Sequence, residues 1–264
     1  MAERSIIVTG SKGGVGTTTV ALNLAVHLAQ LSKKRVGLIE FARPFGQISL
    51  MLDFDPRFTL LDALERIDRL DAPLLASLVT RHKTGVEILA GPLHAALRAD
   101  QRQLVTLEAL LRVLELAREV FDLVVVDLGF VNAAEWARVL QTAETLLLVA
   151  EPSALALGML ERYLKAVDSA GLDRNHFRII VNRWRQNDDE PVANSEKRLK
   201  QSFFARLPND FRQVSQAVTL GIPLTTASNN PLVGRYRDLA AKVMKGPAHE
   251  SESRNDSPVA IGVQ

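Results

Sequence analysis

The sequence contains no cysteine, which excludes disulfide bonds and thiolate metal sites and fits a reducing compartment. It has no apolar run approaching the roughly 20 residues that a membrane-spanning helix needs. Its start, MAERSIIVTG, is not typical of a signal peptide, because the short apolar stretch ends in a glycine-rich turn. The 5 histidines are scattered, and no Ser–His–Asp arrangement is evident. We therefore expect a soluble cytoplasmic protein with neither a histidine metal site nor a hydrolase triad.

Apolar residues make up 47% of the 264 residues, enough for a sizeable core. We predict one large domain over residues 1–245. A disordered tail is predicted at 246–264, where the sequence is polar and unpatterned. The net charge is +2, but residues 161–245 hold 15 lysines and arginines against 9 acidic residues. This basic third is either a solvated surface or a surface for nucleic acid or acidic lipid.

Short apolar runs alternate with segments of helical periodicity along the chain. Strands are predicted at 5–10, 35–41, 86–90, 123–127, 145–150 and 177–182. Helices are predicted at 17–31, 60–66, 104–120, 133–141, 154–170, 195–204, 210–220 and 231–245. Strands such as LVVV and TLLLVA are continuously apolar, as in sheets covered on both faces. The pattern predicts a doubly wound α/β fold with a mostly parallel sheet, helices on both faces and a ligand at the carboxyl ends of the strands.

The segment GSKGGVGTTT, at residues 10–19, follows the first predicted strand and opens the first predicted helix. In a G-x-x-x-x-G-K-[ST] loop, backbone N–H groups turn toward phosphate oxygens, a lysine reaches the terminal phosphates and a hydroxyl binds Mg²⁺. The positive end of the helix dipole favours the same anion. Thr17 replaces the usual lysine here. The candidate nucleotide contacts in the loop are Lys12, Gly13, Gly14, Val15, Gly16, Thr17, Thr18 and Thr19.

Two residues are candidates for holding Mg²⁺, a cation that prefers hydroxyl, carboxylate, water and phosphate oxygens. Thr18 supplies a hydroxyl at the end of the loop, and Asp127 ends an apolar strand. The alternative for Asp127 is an ordinary acidic residue at a strand end.

The run KGGVG resembles the deviant Walker A motif, K-G-G-x-G-K-[ST]-[ST], of the MinD/ParA family. This resemblance implies that Lys12 is the additional lysine that reaches across an ATP-bound dimer to the partner's phosphates. The segments at 44–71, 124–130, 146–153, 181–184 and 207–224 resemble the CpaE/TadZ branch, which acts in Tad-type pilus assembly. That branch commonly has a small residue in place of the Walker lysine. Its usual receiver-like N-terminal domain is expected to be absent, because the sequence starts directly at the first strand.

The resemblance also implies roles at the two ends of the nucleotide. Asn182 corresponds to the residue that reads adenine, Arg183 flanks the ring, and a loop of Leu207, Pro208 and Asn209 closes over its other side. Relatives carry Asp-x-Asp at the end of the second strand, and the second Asp orders the attacking water. This chain has Ala42 at that second position, whereas Glu40 keeps a carboxylate at the first that is able to contact a metal-bound water. Glu40 and Lys12 are therefore the candidate catalytic residues.

The resemblance implies an ATP- and Mg²⁺-binding molecular switch that dimerises on ATP and localises a Tad-type pilus or secretion assembly. Partners would recruit it to a cell pole or the inner face of the membrane. Thr17 and Ala42 each remove a positioned polar group, a change that costs on the order of 10²–10³ in rate, so we expect slow or absent ATP hydrolysis. One alternative is a ParA-like DNA-partition ATPase that binds nonspecific DNA. Another is a degenerate scaffold that no longer binds nucleotide.

Overall fold

The computed structural model describes residues 5–41, 46–93, 104–129, 138–139, 144–169, 171, 173–174, 177–224 and 230–246. Within these residues, eight strands form one sheet in the order β3-β4-β2-β5-β1-β6-β7-β8. All neighbouring strands are parallel except the edge pair β3 and β4. The strands are β1 Ser5–Gly10, β2 Val36–Glu40, β3 Thr80–Arg81, β4 Glu87–Leu89, β5 Leu123–Gly129, β6 Thr145–Ala150, β7 Phe177–Trp184 and β8 Ala205–Pro208.

Helices connect these strands and cover the sheet. The helices are α1 Thr17–Ser32, α2 Ile48–Met51, α3 Leu60–Leu64, α4 Ala72–Leu78, α5 Leu107–Val120, α6 Ala154–Ser169, α7 Asp189–Leu199, α8 Phe211–Thr219 and α9 Pro231–Lys245, with 3₁₀ turns at Ile67–Arg69 and Gln186–Asp188. None of the helices in the described part of the chain combines the length and the apolar character that crossing a bilayer requires.

Successive residues of the central strands pack on opposite faces of the sheet, because side chains alternate along a strand. On one face, Ile7 and Ile39 join a core with α3, α4, α5 and α6. On the other face, Ile6 and Val8 join a second core with α1, α8 and α9. Both faces are therefore buried, which confirms the predicted doubly wound, mostly parallel fold and explains why the strands are continuously apolar.

The structure differs from the predicted elements in the following places. The helix predicted at 195–204 is wrong in its bounds, since α7 spans Asp189–Leu199, and the strand β8 that follows it was not predicted. Helix α4 was not predicted. In the structure Pro73 lies in the first turn, where proline is tolerated, and Asp71 caps the helix by accepting the Leu74 N–H at 2.8 Å. Most of the helix predicted at 133–141, and the predicted tail beyond 246, lie outside the described residues.

Helix α1 packs against α9 through a buried aromatic pair that makes stability depend on pH. His27 is fully buried, and its ring stacks on Tyr236 with 6.3 Å between centroids. Burial lowers the pKa of His27 below its usual 6.5, and the charge of Arg237 acts in the same direction. As the pH falls below 6.5, the unfolded chain therefore binds a proton at His27 before the folded chain does, and folding stability is lost.

We predict that the wild-type protein loses about 1 kcal/mol more stability between pH 7.5 and pH 5.5 than His27→Leu does. Urea denaturation of both proteins at the two pH values measures this difference. An equal loss in the two proteins would contradict a neutral, buried His27.

Candidate functional site

The segment between β1 and α1 forms a loop with the geometry of a phosphate cradle. Gly14 and Gly16 have φ of 80° and 93°, a left-handed conformation that favours glycine. Among the described residues, no backbone carbonyl accepts the N–H groups of residues 13–19, and the first helical hydrogen bond of α1 runs from Val20 N to Gly16 O at 3.0 Å. These free donors at a helix N-terminus can bind an anion.

Asn182, near the end of β7, contacts the loop through its side chain. Its side-chain Nδ2 donates to the Val15 carbonyl oxygen at 2.9 Å, and the residue is buried. A Cβ at Gly16 would lie 2.4 Å from the same Nδ2 atom, so any other residue there would displace the Asn182 side chain and also strain the backbone at its φ of 93°. In this structure Asn182 therefore positions the phosphate loop, and its predicted contact with adenine stays a prediction.

Thr17 is buried and takes up the space next to the start of the loop. A Cβ at Gly10 would lie 2.6 Å from Thr17 Oγ1, which places that hydroxyl in close contact with the Gly10 backbone. Lys12 is the only basic residue in the segment 10–19. Any positive side chain that this loop offers to a phosphate is therefore Lys12.

The two predicted magnesium ligands come together behind the loop. The Thr18 side chain hydrogen-bonds to Asp127, whose own carboxylate also accepts the Gly129 N–H at 3.3 Å. Burial raises the pKa of Asp127 to about 7, the bond from Thr18 opposes this rise, and the charge of Glu40 adds to it. A buried carboxylate beside a hydroxyl fits a hard divalent cation, which would offset the cost of burying the charge.

Glu40 is held by the backbone of two neighbouring turns. Its carboxylate accepts three backbone N–H groups, from Gln47 at 2.5 Å, Ile48 at 3.0 Å and Gly91 at 2.8 Å. The residue is 1% exposed. Both oxygens thus join the end of β2 to two neighbouring turns, and the predicted contact of Glu40 with a metal-bound water stays a prediction. Ala42 lies outside the described residues.

Lys12 and Arg183 meet at a carboxylate that the sequence analysis did not single out. Glu151, directly after β6, lies 2.7 Å from Lys12 Nζ through Oε1 and 3.1 Å from the Arg183 guanidinium through Oε2. The Ser153 hydroxyl donates to Oε1 at 3.2 Å. Partial burial would raise the pKa of Glu151, but the hydrogen bond and charge of Lys12 hold it below its usual value. The signal available in the sequence was a charged residue at the end of a buried strand.

The segment predicted to close over the adenine ring consists of the end of the edge strand β8 and the residue that follows it. Leu207 is fully buried in the core, which corrects its prediction as a base contact. Pro208 pairs with Trp184 in the sheet, and the Asn209 N–H donates to the Trp184 carbonyl at 2.8 Å. Arg183, with φ of 57°, is half exposed at the same end of the sheet. Asn182, Arg183, Pro208 and Asn209 remain the predicted contacts at the base end.

The loop, the buried acid and the sheet order define a P-loop nucleotide-binding protein. A family model described as an AAA domain matches residues 3–178, two thirds of the chain, and the chain belongs to that family as a P-loop ATPase of the MinD/ParA type. A putative septum site-determining protein MinD from Oltmannsiellopsis viridis is 27% identical over 257 residues, covering 92% of this chain and 76% of that protein.

Two solved structures are similar in fold. The ParA family ATPase from Chlorobium tepidum TLS has a TM-score of 0.80 at 24% identity, over 91% of this chain and 99% of that one. The MinD protein of Pyrococcus horikoshii OT3, solved with Mg-ADP, has a TM-score of 0.73 at 23% identity, over 93% and 97% of the two chains. At these identities the likeness shows the fold alone.

Proposed function

We propose that this protein is an ATP-binding molecular switch that requires Mg²⁺, dimerises when ATP is bound and hydrolyses ATP slowly or not at all. The observation that carries this proposal is the loop at 10–19, whose left-handed glycines turn a row of backbone N–H groups away from every carbonyl of the described residues, beside the Thr18–Asp127 pair. A loop of this kind binds the phosphates through its N–H groups, and Thr18 and Asp127 hold the Mg²⁺.

In the proposed dimer, Lys12 supplies the positive charge for the terminal phosphate. Thr17 leaves the loop without its usual lysine, so a lysine from a second copy is needed to neutralise the terminal phosphate. Lys12 is less than one-third exposed and lies at the mouth of the loop. In the proposed dimer, Lys12 of each protomer contacts the ATP of the other, and loss of the terminal phosphate separates the protomers.

Slow hydrolysis follows from the groups that would act on the attacking water. Glu40 is occupied by three backbone N–H groups, and residue 42 is an alanine. Without a group that positions the water, the rate falls by on the order of 10²–10³. This leaves a long-lived ATP state, which suits a switch that marks a position in the cell.

We predict that a double variant, Thr17→Lys with Ala42→Asp, hydrolyses ATP at least on the order of 10²–10³ faster than the wild type, because each restored group contributes about that factor and Lys12 of a second copy already replaces part of the first. Steady-state phosphate release at saturating Mg·ATP measures the difference. A wild-type turnover already as fast as that of the double variant, and abolished by Asp127→Ala, would contradict the slow-hydrolysis part of the proposal.

The biological assignment rests on the resemblance of five segments to the CpaE/TadZ branch. On this assignment the switch localises a Tad-type pilus or secretion assembly through protein partners, which recruit it to a cell pole or the inner membrane face. Loss of polar localisation of the pilus machine in cells that lack the gene, and its return with the wild-type gene but not with Lys12→Ala, would support it. Normal localisation in such cells would contradict it.

A DNA-partition role is the second candidate, and one surface favours it. Arg206, Arg235, Lys242 and Lys245 line a cavity between β8 and α9, with Asp238 as the acidic member of that lining. Phosphate contacts make nonspecific DNA binding strongly salt-dependent. ATP-dependent, salt-sensitive DNA binding that is lost in Lys242→Glu/Lys245→Glu would favour this role. The third alternative is a scaffold that no longer binds nucleotide. A ligand that binds only the folded state raises the melting temperature, so this alternative holds if neither ATP nor ADP raises it.

A further inference from the structure

The ends of three neighbouring strands bring Lys12, Glu151 and Arg183 together. Strands β1 and β6 pair in parallel up to Gly10 and Val149, and Ser11 N–H extends the ladder to Val149 O at 2.8 Å. Strand β7 pairs with β6 on its other side, up to Ala150 and Val181. Lys12 and Glu151 therefore each follow the last paired residues by two positions, and their contact is built on the sheet itself.

The carboxylate of Glu151 is fully engaged by these neighbours. Oε1 contacts Lys12 Nζ at 2.7 Å and accepts the Ser153 hydroxyl at 3.2 Å, while Oε2 accepts from Arg183 at 3.1 Å. The Lys12 and Glu151 side chains are only 27% and 19% exposed. An ion pair that is partly shielded from water, with one partner held by two further donors, is stronger than a fully exposed pair.

This ion pair competes with the role that the proposed function gives to Lys12. Lys12 Nζ cannot stay at 2.7 Å from Glu151 within its own chain and also neutralise a phosphate bound by a second copy. The cost of breaking this ion pair therefore opposes dimerisation until enough ATP is bound to outweigh it.

We propose that Glu151 is a positioning residue that holds Lys12 within the nucleotide-free monomer and thereby sets the ATP concentration at which the chain dimerises. This inference rests on the proposed function, because it assumes that Lys12 contacts ATP across a dimer. Glu151 acts through Lys12 and touches neither the reacting phosphate nor the water.

The first test is the variant Glu151→Gln, which keeps the shape of the side chain and removes its charge. Sedimentation velocity in Mg·ATP gives the monomer–dimer dissociation constant for each protein. We expect the variant to dimerise about tenfold more tightly, because the wild type must break one Lys12–Glu151 ion pair in each protomer and the variant has none to break. An unchanged or weaker dimer would overturn the threshold role.

The second test needs no nucleotide. An amine-reactive reagent labels Lys12 in the free monomer, and mass spectrometry follows its rate. We expect labelling to be several-fold faster in Glu151→Gln, and a rate equal to that of the wild type would overturn the claim that Glu151 holds Lys12. If the wild type and Glu151→Gln both stay monomeric in ATP, the proposed function and the threshold role are both contradicted. The labelling rate still decides, independently of ATP, whether Glu151 holds Lys12.

A matched control is Glu87→Gln. Glu87 accepts two hydrogen bonds from Arg35, at 3.0 and 2.8 Å, so the variant also breaks a carboxylate–cation pair. That pair lies at the amino ends of β2 and β4, at the opposite end of the sheet from the loop. We expect the control to leave both the dimerisation constant and the labelling rate of Lys12 unchanged, and a change as large as that in Glu151→Gln would contradict a specific role for Glu151.

Discussion

Replacing Gly16 by alanine is expected to abolish the binding of Mg·ATP. The new Cβ would lie 2.4 Å from Asn182 Nδ2, and the backbone φ of 93° is one that alanine rarely adopts. Either Asn182 or the loop must then move. Because Asn182 Nδ2 donates a hydrogen bond to Val15 O in the loop, a shift of either one disturbs the loop. ATP at a hundred times its dissociation constant stabilises a protein by about 2.7 kcal/mol. For a chain of this size the melting temperature then rises by roughly 5–10 °C. We expect that rise in the wild type and none in Gly16→Ala.

Gly14→Ala separates the contact from the backbone strain. Gly14 shares the left-handed backbone, with φ of 80°, but a Cβ there meets no atom within 4 Å. Without nucleotide, we expect Gly14→Ala to lose about 1–2 kcal/mol of stability from strain alone, and Gly16→Ala to lose more. Equal losses, or a normal ATP response in Gly16→Ala, would contradict the packing of Asn182 against the loop.

Replacing Glu40 by alanine is expected to cause the largest loss of stability. The change leaves three backbone N–H groups, those of Gln47, Ile48 and Gly91, without their carboxylate. Each buried, unsatisfied polar group costs about 1–3 kcal/mol. Water that enters the cavity recovers part of this cost, so we expect a total loss of roughly 3–5 kcal/mol. Urea denaturation without nucleotide measures it.

The control for Glu40 is again at Glu87. Within the described residues, its carboxylate bonds to the side chain of Arg35 alone, and that side chain is about half exposed. Glu87→Ala should therefore cost less than about 1 kcal/mol, as exposed ion pairs do. A loss in Glu40→Ala no greater than in Glu87→Ala would mean that the three backbone bonds do not stabilise the fold.

The sequence predicts well those features that neighbouring residues determine. The loop at 10–19 and the helix after it could be predicted because the glycines, hydroxyls and apolar periodicity are local signals. The predicted helix at 17–31 is observed as Thr17–Ser32. Strand β8 was missed because it has four residues at the edge of the sheet and includes a proline, so its pairing with β7 decides its structure.

The site residues that were missed or misassigned depend on contacts between distant parts of the chain. Glu151 and Lys12 are far apart in sequence, and only the neighbouring positions of β1 and β6 bring them into contact. Glu40 looks like a catalytic acid in sequence, because its motif position says nothing of the Gly91 N–H that it accepts. Leu207 was assigned to the base end by the family resemblance, which carries no information on its burial in strand β8.

Light scattering of the purified protein with a slowly hydrolysed ATP analogue and Mg²⁺ tests the central claim most directly. We predict the mass of a dimer with the analogue and of a monomer, about 29.0 kDa, with ADP. Lys12→Ala should stay monomeric in both while still binding nucleotide. A wild-type protein that remains monomeric with the analogue, or a Lys12→Ala variant that dimerises as the wild type does, would contradict the account.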